Sequence, residues 1–588
     1  MPAALRLPTA ALWTVAVALL LAALFALEAA SVRDQSLTYD APNHLRYGRQ
    51  ILAGDATRFD DSKMPVSAWN ALPGRLAEAL PPGGLRSFLA ADRTARYPTM
   101  LASLILAWLV WRWSRELYGP AAGLLSLVLY VFDPNLLAHS RLVTTDLYAA
   151  LTVTLALYTF WRFLEAPDRR SRRRRGLGAA LAFGLAQVAK YSGAYLAPVL
   201  LLVAAVRFAP AVTGDLRRRS PRLLARRARA FALWAAVFVL AMVLVVNAAF
   251  LFQDPFRPLA DFPFRSETFQ ELRDRAIAVW PGARLPVPYP YLEGLDWVLA
   301  REQTGEGYGN RYLLGETRTG RGFPGYYVVA ALYKVPLPTQ VVWIAALAAY
   351  AGLRRRGGRF RFARDEAFLL VPAAFFTVYF NFFFQAQMGI RYLLPVFPLL
   401  HVFAGCLLAP AVWGELRPGA RRGLAAAGAA LAVWLAASVL SYYPHLLPYM
   451  NELLPERKLA YRILADSNLD WGQDSEFIAR YREEHPEVVW QPARPTAGRI
   501  LVGTNWLTGV FKHRHDTWLR DNFEPVTHLR YSHLLFEITE EDLARHGLAG
   551  TGRRDGGAPP PEPRRNRRRP LPPAGEVAGT SAPGGRSG

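Results

Sequence analysis

Two aspartates stand at the mouths of apolar segments in this chain, and they are the residues with the clearest chemical promise. Asp40 lies in Thr38-Tyr39-Asp40-Ala41-Pro42-Asn43-His44, and Asp146 ends Arg141-Leu142-Val143-Thr144-Thr145-Asp146. An ionisable side chain beside a bilayer is a functional candidate by default, because holding its charge there is costly. Two carboxylates facing one compartment suit acid/base work on a hydroxyl. Cations accompany them: Lys190 interrupts an apolar stretch, Arg391 opens another, and Arg141 sits beside His139 in the turn before Asp146. Cationic side chains at that depth can hold and stabilise a lipid phosphate by charge-assisted hydrogen bonds. Asp40 and Asp146 are therefore the candidate catalytic acids, with Lys190, Arg391 and Arg141 as candidate phosphate ligands. Tyr39, His44, His139 and Tyr392 are supporting candidates.

Each residue also has a purely structural reading. Asp40 before Pro42 suits the N-cap of a surface helix, and Asp146 can cap the helix it opens. His44 can face the same way as Asp40, one helical turn on, yet two ligands are too few for a metal centre and a polar contact is the simpler role. Lys190 can snorkel to the interface. Arg391 is harder to explain structurally, since it sits at the outer end of a span, where Arg is disfavoured. No Gly-rich phosphate loop, Cys/His zinc spacing or Ser/His/Asp order accompanies these residues.

The elements that must position them follow from hydropathy. The 588 residues are 52% hydrophobic and 20% charged, which requires both membrane spans and sizeable extramembrane parts. A span needs roughly 20 apolar residues. Runs of that kind occupy 9–27, 98–112, 120–138, 144–164, 229–252, 336–352, 366–384, 391–412 and 423–442. The first reads as a retained anchor rather than a cleaved signal peptide. Residues 177–208 are too long for one crossing. Their flanking loops are both Arg-rich and belong on one side, so a tight helix pair turning at Lys190 is expected, giving about eleven spans.

The net charge of +23 does not indicate nucleic acid, because it is concentrated in short loops between spans: residues 165–176 carry six Arg against two acids, and 207–229 eight against one. This positive-inside pattern places those loops and the N-terminus in the cytoplasm. The expected organisation is a mainly α polytopic domain over 1–442, with external loops at 28–97 and 253–335. The first loop carries amphipathic helices along the membrane surface. A small external α/β domain follows at 443–550, and then a disordered Pro/Gly/Arg tail at 551–588. The single Cys406, in an apolar run, excludes an intrachain disulfide framework and is expected to be buried.

In this order and on these faces, the motifs resemble those of integral-membrane glycosyltransferases of the C superfamily, in particular family 39. Its relatives include protein O-mannosyltransferases and lipid A aminoarabinose transferases. The resemblance spans roughly residues 10–480 and rests on Tyr39-Asp40 with His44 and Gly54-Asp55, Asp133-Pro134-Asn135 through His139-Ser140 to Thr145-Asp146, Lys190-Tyr191-Ser192-Gly193, Arg391-Tyr392-Leu393-Leu394-Pro395, and Asp466-Ser467-Asn468-Leu469-Asp470-Trp471-Gly472-Gln473-Asp474.

The resemblance implies a polyprenyl-phosphate sugar donor and inverting transfer to an acceptor hydroxyl on the non-cytoplasmic face of a bacterial inner membrane. Asp40 would act as base, and Arg391 with Lys190 and Arg141 would steady the departing phosphate. No cofactor is required by the residues, although a divalent cation is compatible with them. Where relatives commonly carry a second acid after the first aspartate, this chain has Ala41, which weakens any mechanism that needs adjacent acids. The 466–474 stretch is either an acceptor contact, through Asp470 and Trp471, or a structural turn. Membrane lipids are expected partners, and the acceptor is a protein, a glycan or a lipid. The competing classes are a transporter or flippase for lipid-linked sugars and an inactive sugar-binding relative. A transporter is disfavoured by the absence of repeated halves and by the interfacial position of the polar residues.

Overall fold

The computed structural model describes residues 9–57, 62–305, 307, 309–355, 360–414, 416–511 and 517–548. The tail expected to be disordered, 551–588, lies outside the described residues.

The chain is mainly helical, and every segment expected to cross the membrane carries a helix. Among the described residues six helices are long and apolar enough to span a bilayer, and a seventh span arises if Tyr326–Lys334 and Leu337–Arg355, bent by 114°, are counted together. Several helices of the chain open with Pro in the first turn, where its missing N–H has no partner to lose: Pro98, Pro120, Pro221 and Pro418. The Asp146–Leu164 helix lies inside the bundle against Tyr97–Tyr118 and Arg169–Ala189, whereas Pro221–Ala249 and Pro418–Leu440 lie on its periphery. Large apolar side chains on those outer helices point outward, as with Leu233, Leu240 and Val433. Apolar surface of that extent is stable against lipid rather than water, and the protein is an integral membrane protein.

The expected turn in 177–208 falls at Lys190, whose backbone is extended between the Arg169–Ala189 helix and a 3-10 turn over Tyr191–Tyr195. Gln187 fixes this turn by donating to the Gly193 carbonyl at 2.9 Å. The helix Leu196–Arg217 then returns.

Between residues 41 and 90 the described residues form three helices, Ala41–Leu52, Ser67–Glu78 and Gly84–Ala90. The first two pack so closely that a side chain at Gly48 would run into the Ser67 backbone. Residues 253–335 hold the helices Glu267–Val279 and Tyr289–Thr304 and an antiparallel hairpin, Asn310–Leu313 with Glu316–Thr319. Beyond residue 442 comes a four-stranded sheet in the order Val489–Trp490, Gly498–Gly503, His533–Ile538, Thr527–Leu529. Its first pair is parallel and the others antiparallel.

Candidate active site

Asp40 occupies the position before the Ala41–Leu52 helix with Pro42 just inside, as a cap would, yet its side chain makes no cap hydrogen bond. The carboxylate turns instead into a cavity of about 560 Å³ that Asp146, Lys190, Arg391, His44 and Tyr392 also line. Four segments far apart in sequence thus converge, bringing six of the sequence-selected residues together.

Within the cavity the two acids differ. Asp146 is buried, and its Oδ1 accepts a hydrogen bond from Lys190 Nζ at 2.5 Å. The Asp40 side chain is 42% exposed and lies 3.8 Å from Arg391 Nη1, a separation that keeps the pair loosely coupled. Arg391 is held by its own surroundings: Nε donates to the Met388 carbonyl at 3.1 Å, and the guanidinium stacks 4.0 Å from the Trp471 ring. Lys190 Nζ also lies 4.3 Å from the centre of the Tyr392 ring. Tyr392 therefore borders both cations and supplies π-faces in place of solvent. His44 Nδ1 shares a 2.9 Å hydrogen bond with Ser67 Oγ, which ties its imidazole to the neighbouring helix.

Other expected residues sit outside the cavity lining. Arg141 is buried, and its guanidinium donates to the carbonyls of Ser31 and Pro444, each at 3.0 Å. Arg141 does not line the cavity, and its Nη1 serves these two backbone carbonyls while its Nε has no hydrogen-bond partner among the described residues. Arg96 works similarly, donating to the carbonyls of Val32, Gln35 and Ser36. Together these arginines anchor the strap that leads into Asp40. His139 is buried edge-on to Trp471, with ring centres 6.0 Å apart. Asp133 caps the Pro134–His139 helix through the Asn135 and Leu136 N–H groups and pairs with His401 at 3.0 Å.

The 466–474 stretch is where the structure adds most. Asn468 Oδ1 accepts from the Ile390 N–H at 3.0 Å, beside Arg391, while Asn468 Nδ2 donates to the Tyr326 hydroxyl, which also accepts from the Gly389 N–H. On its other side the Trp471 carbonyl accepts from the Tyr39 N–H at 3.0 Å, and the Gln473 carbonyl from the Ser36 N–H at 2.9 Å. Gly472 has φ +83°, and a Cβ there would press on the Tyr39 ring, so glycine is required both for the backbone and for the aromatic contact. The stretch is a bracket joining the Asp40 strap to the Arg391 turn. Asp470 sits within it, its Oδ1 accepting from the Gly472 N–H at 2.9 Å, and burial raises its carboxyl to about 6.

Several cavity residues carried no signal in the sequence. Lys63 and Ser62 precede the Ser67–Glu78 helix, and Trp297, Arg301 and Glu302 come from the Tyr289–Thr304 helix. Burial raises the Glu302 carboxyl to about 7, against hydrogen bonds from Tyr195 and Tyr379 and the charge of Lys190. Arg301-Glu302-Gln303 at a helix end reads as any solvated surface, and only the nearby Trp297 hints at a site. Among the described residues no three His, Cys, Asp or Glu side chains gather as a metal-binding group. Of the cavity's candidate ligands, Asp146 is paired with Lys190 and His44 hydrogen-bonds Ser67.

Fold and site together define an integral membrane protein with a charged pocket lined from several of its helices and the loops that join them. Residues 85–246, which contain the Asp133–Asp146 turn and Lys190, match the family model described as dolichyl-phosphate-mannose-protein mannosyltransferase. No curated protein matches the chain. Among solved structures it is similar to ArnT from Cupriavidus metallidurans bound to undecaprenyl phosphate, with 17% identity, a TM-score of 0.44, and coverage of 75% of this chain and 72% of that one. It is also similar to the Archaeoglobus fulgidus oligosaccharyltransferase in the apo form, with 14% identity, a TM-score of 0.45, and coverage of 74% and 55% respectively. The same archaeal enzyme in complex with Zn and sulfate gives 14% identity, a TM-score of 0.45, and coverage of 72% and 53%.

Proposed function

We propose that this protein is a glycosyltransferase that moves a sugar, with inversion, from a polyprenyl-phosphate donor to an acceptor hydroxyl on the non-cytoplasmic face of the membrane. The observation that carries the reading is the pairing of an accessible carboxylate, Asp40, with a buried-edge cation, Arg391, 3.8 Å away in a cavity that Lys190 and Lys63 also line. The cavity supplies what the reaction needs: a base open to an incoming hydroxyl and positive charge for a departing lipid phosphate. In the step itself Asp40 takes the acceptor proton as the acceptor oxygen attacks the anomeric carbon. The bond from that carbon to the phosphate oxygen breaks, and the lipid phosphate leaves with the electron pair toward Arg391. Asp146 acts by holding Lys190 in place rather than as a second base, and Arg141 holds the strap that carries Asp40. No step is routed through a metal.

The test uses the purified full-length protein in vesicles with a panel of polyprenyl-phosphate sugars. Wild type is expected to consume lipid-linked sugar, and Asp40→Asn to lose roughly 10²–10⁴-fold in rate, the range for removing a general base. Equal consumption by both would remove Asp40 from the mechanism. Transbilayer movement of the intact lipid-linked sugar would establish a flippase instead.

A further inference from the structure

Glu302 lines the same cavity as Asp40 and Asp146 but comes from the second external region, near the end of the Tyr289–Thr304 helix. Only 6% of the residue is exposed. Its Oε2 accepts hydrogen bonds from the Tyr195 hydroxyl at 2.8 Å and the Tyr379 hydroxyl at 3.0 Å, and those two hydroxyls lie 2.6 Å apart. Three elements therefore meet on one carboxylate oxygen: the turn after Lys190, the Ala367–Phe382 helix and the Tyr289–Thr304 helix. The other oxygen, Oε1, has no hydrogen-bond partner among the described residues, yet it is not one of the fully sealed polar atoms. A carboxylate fixed through one oxygen keeps the lone pairs of the other for a ligand. Trp297, from the same helix, also lines the cavity, and the Arg301 guanidinium stacks on it at 3.9 Å, which holds the indole in place.

We propose that Glu302 and Trp297 form the subsite for the donor's sugar, with Glu302 Oε1 accepting hydrogen bonds from sugar hydroxyls and the indole packing against the ring. Tyr195 and Tyr379 are positioning residues that aim the carboxylate. An aromatic face beside an anchored carboxylate suits a sugar, which presents apolar C–H groups and a rim of hydroxyl donors together. Such a subsite also separates two tasks within the cavity. The cations receive the phosphate, and Glu302 distinguishes a loaded carrier from a spent one, so the lipid phosphate left after transfer binds less well than the donor it came from.

This inference rests on the donor reading above, and its test separates the two. Binding of undecaprenyl phosphate, and of undecaprenyl phosphate carrying glucose or mannose, is measured on the full-length wild type, Glu302→Gln and Trp297→Ala. Wild type is expected to bind at least one loaded lipid more tightly than the bare one. Each variant should lose that margin by roughly tenfold, Glu302→Gln through its altered hydrogen bonds to the sugar and Trp297→Ala through the lost aromatic face, while keeping its affinity for the bare lipid, which also reports intact folding. If the variants retain the margin, or weaken loaded and bare lipid alike, the subsite is overturned and the donor reading stands. If wild type binds neither form, the donor reading falls and the subsite with it.

Discussion

Asp40 and Asp146 are the same residue type at similar interfacial positions, and their surroundings make them different reagents. Lys190 at 2.5 Å engages Asp146, so its carboxylate is a partner to a cation and a poor proton acceptor. Removing one member of a buried pair strands the other, at a cost of roughly 3 kcal/mol or more. Asp146→Asn is therefore expected to lower thermal stability more than the double variant Asp146→Asn/Lys190→Met, a non-additivity that a double-mutant cycle in detergent would measure. Additive losses would mean that the pair is not formed. Asp470 allows a test with pH. Its carboxyl is raised from the ordinary 3.8 to about 6 by burial, so between those values the folded protein holds a proton that the unfolded chain has released. The neutral carboxyl is fully tolerated below about pH 4, and stability is lost as pH rises to about 6 and stays lost above it, by about 3 kcal/mol. Asp470→Asn keeps an acceptor for the Gly472 N–H and removes the charge. It should raise the melting temperature at pH 7.5 and lose that advantage near pH 4; an equal shift at both values would show that the charge is not the cause. The charged residues at interfaces were legible in the sequence because a charge beside an apolar run is anomalous wherever it occurs. Glu302 was not, since an acid at the end of a polar external helix is ordinary until Tyr195 and Tyr379 are seen to meet it.

At the scale of elements, the 466–474 bracket shows what a sequence motif can hide. Its composition marked it as distinctive, but its work lies in bonds to residues far along the chain, 78 positions away for Ile390 with Asn468, and no local periodicity reveals such partners. The helices were legible for the opposite reason, because hydrophobic runs and proline starts are local properties. The turn at Lys190 was readable from charge on its flanks, which fixed the parity of crossings. What could not be read was that this turn, the Asp40 strap and the Arg391 turn end beside one another. Asn468 holds that meeting point: its Oδ1 accepts from Ile390 and its Nδ2 donates to Tyr326. Asn468→Ala leaves a buried N–H without its acceptor, worth about 1–3 kcal/mol, and releases the turn that carries Arg391. The expected result is a raised KM for the lipid donor together with a lower melting temperature. Asn468→Asp keeps the acceptor for Ile390 and should recover more donor affinity than Asn468→Ala. Equal donor affinity in both variants and wild type would separate the bracket from the site.

For the whole molecule, the disposition of charge and the position of the cavity make one joint demand. The positive-inside pattern predicts that the arginine-rich loops at 165–176, 207–229 and 352–364 face the cytoplasm, and the proposed transfer requires Asp40, Lys190 and Arg391 to face the other side. On that expectation the proposed donor phosphate is presented from the non-cytoplasmic leaflet. The sequence provides a clean way to check this, because Cys406 is the single cysteine and is buried. In a Cys406→Ser background, a cysteine is placed at Arg218, exposed after the Leu196–Arg217 helix, or at Glu483, exposed on the Ser475–Glu484 helix. In intact spheroplasts of an expressing bacterium, a membrane-impermeant maleimide should label the Glu483→Cys protein and spare Arg218→Cys until the membrane is opened. The reverse pattern would put the cavity in the cytoplasm, where Asp40 would face soluble acceptors and the proposed non-cytoplasmic transfer would fail. Labelling of both sites in sealed spheroplasts would contradict the even number of crossings assigned to 177–208 or another span, and with it the parity on which the side of the reaction depends.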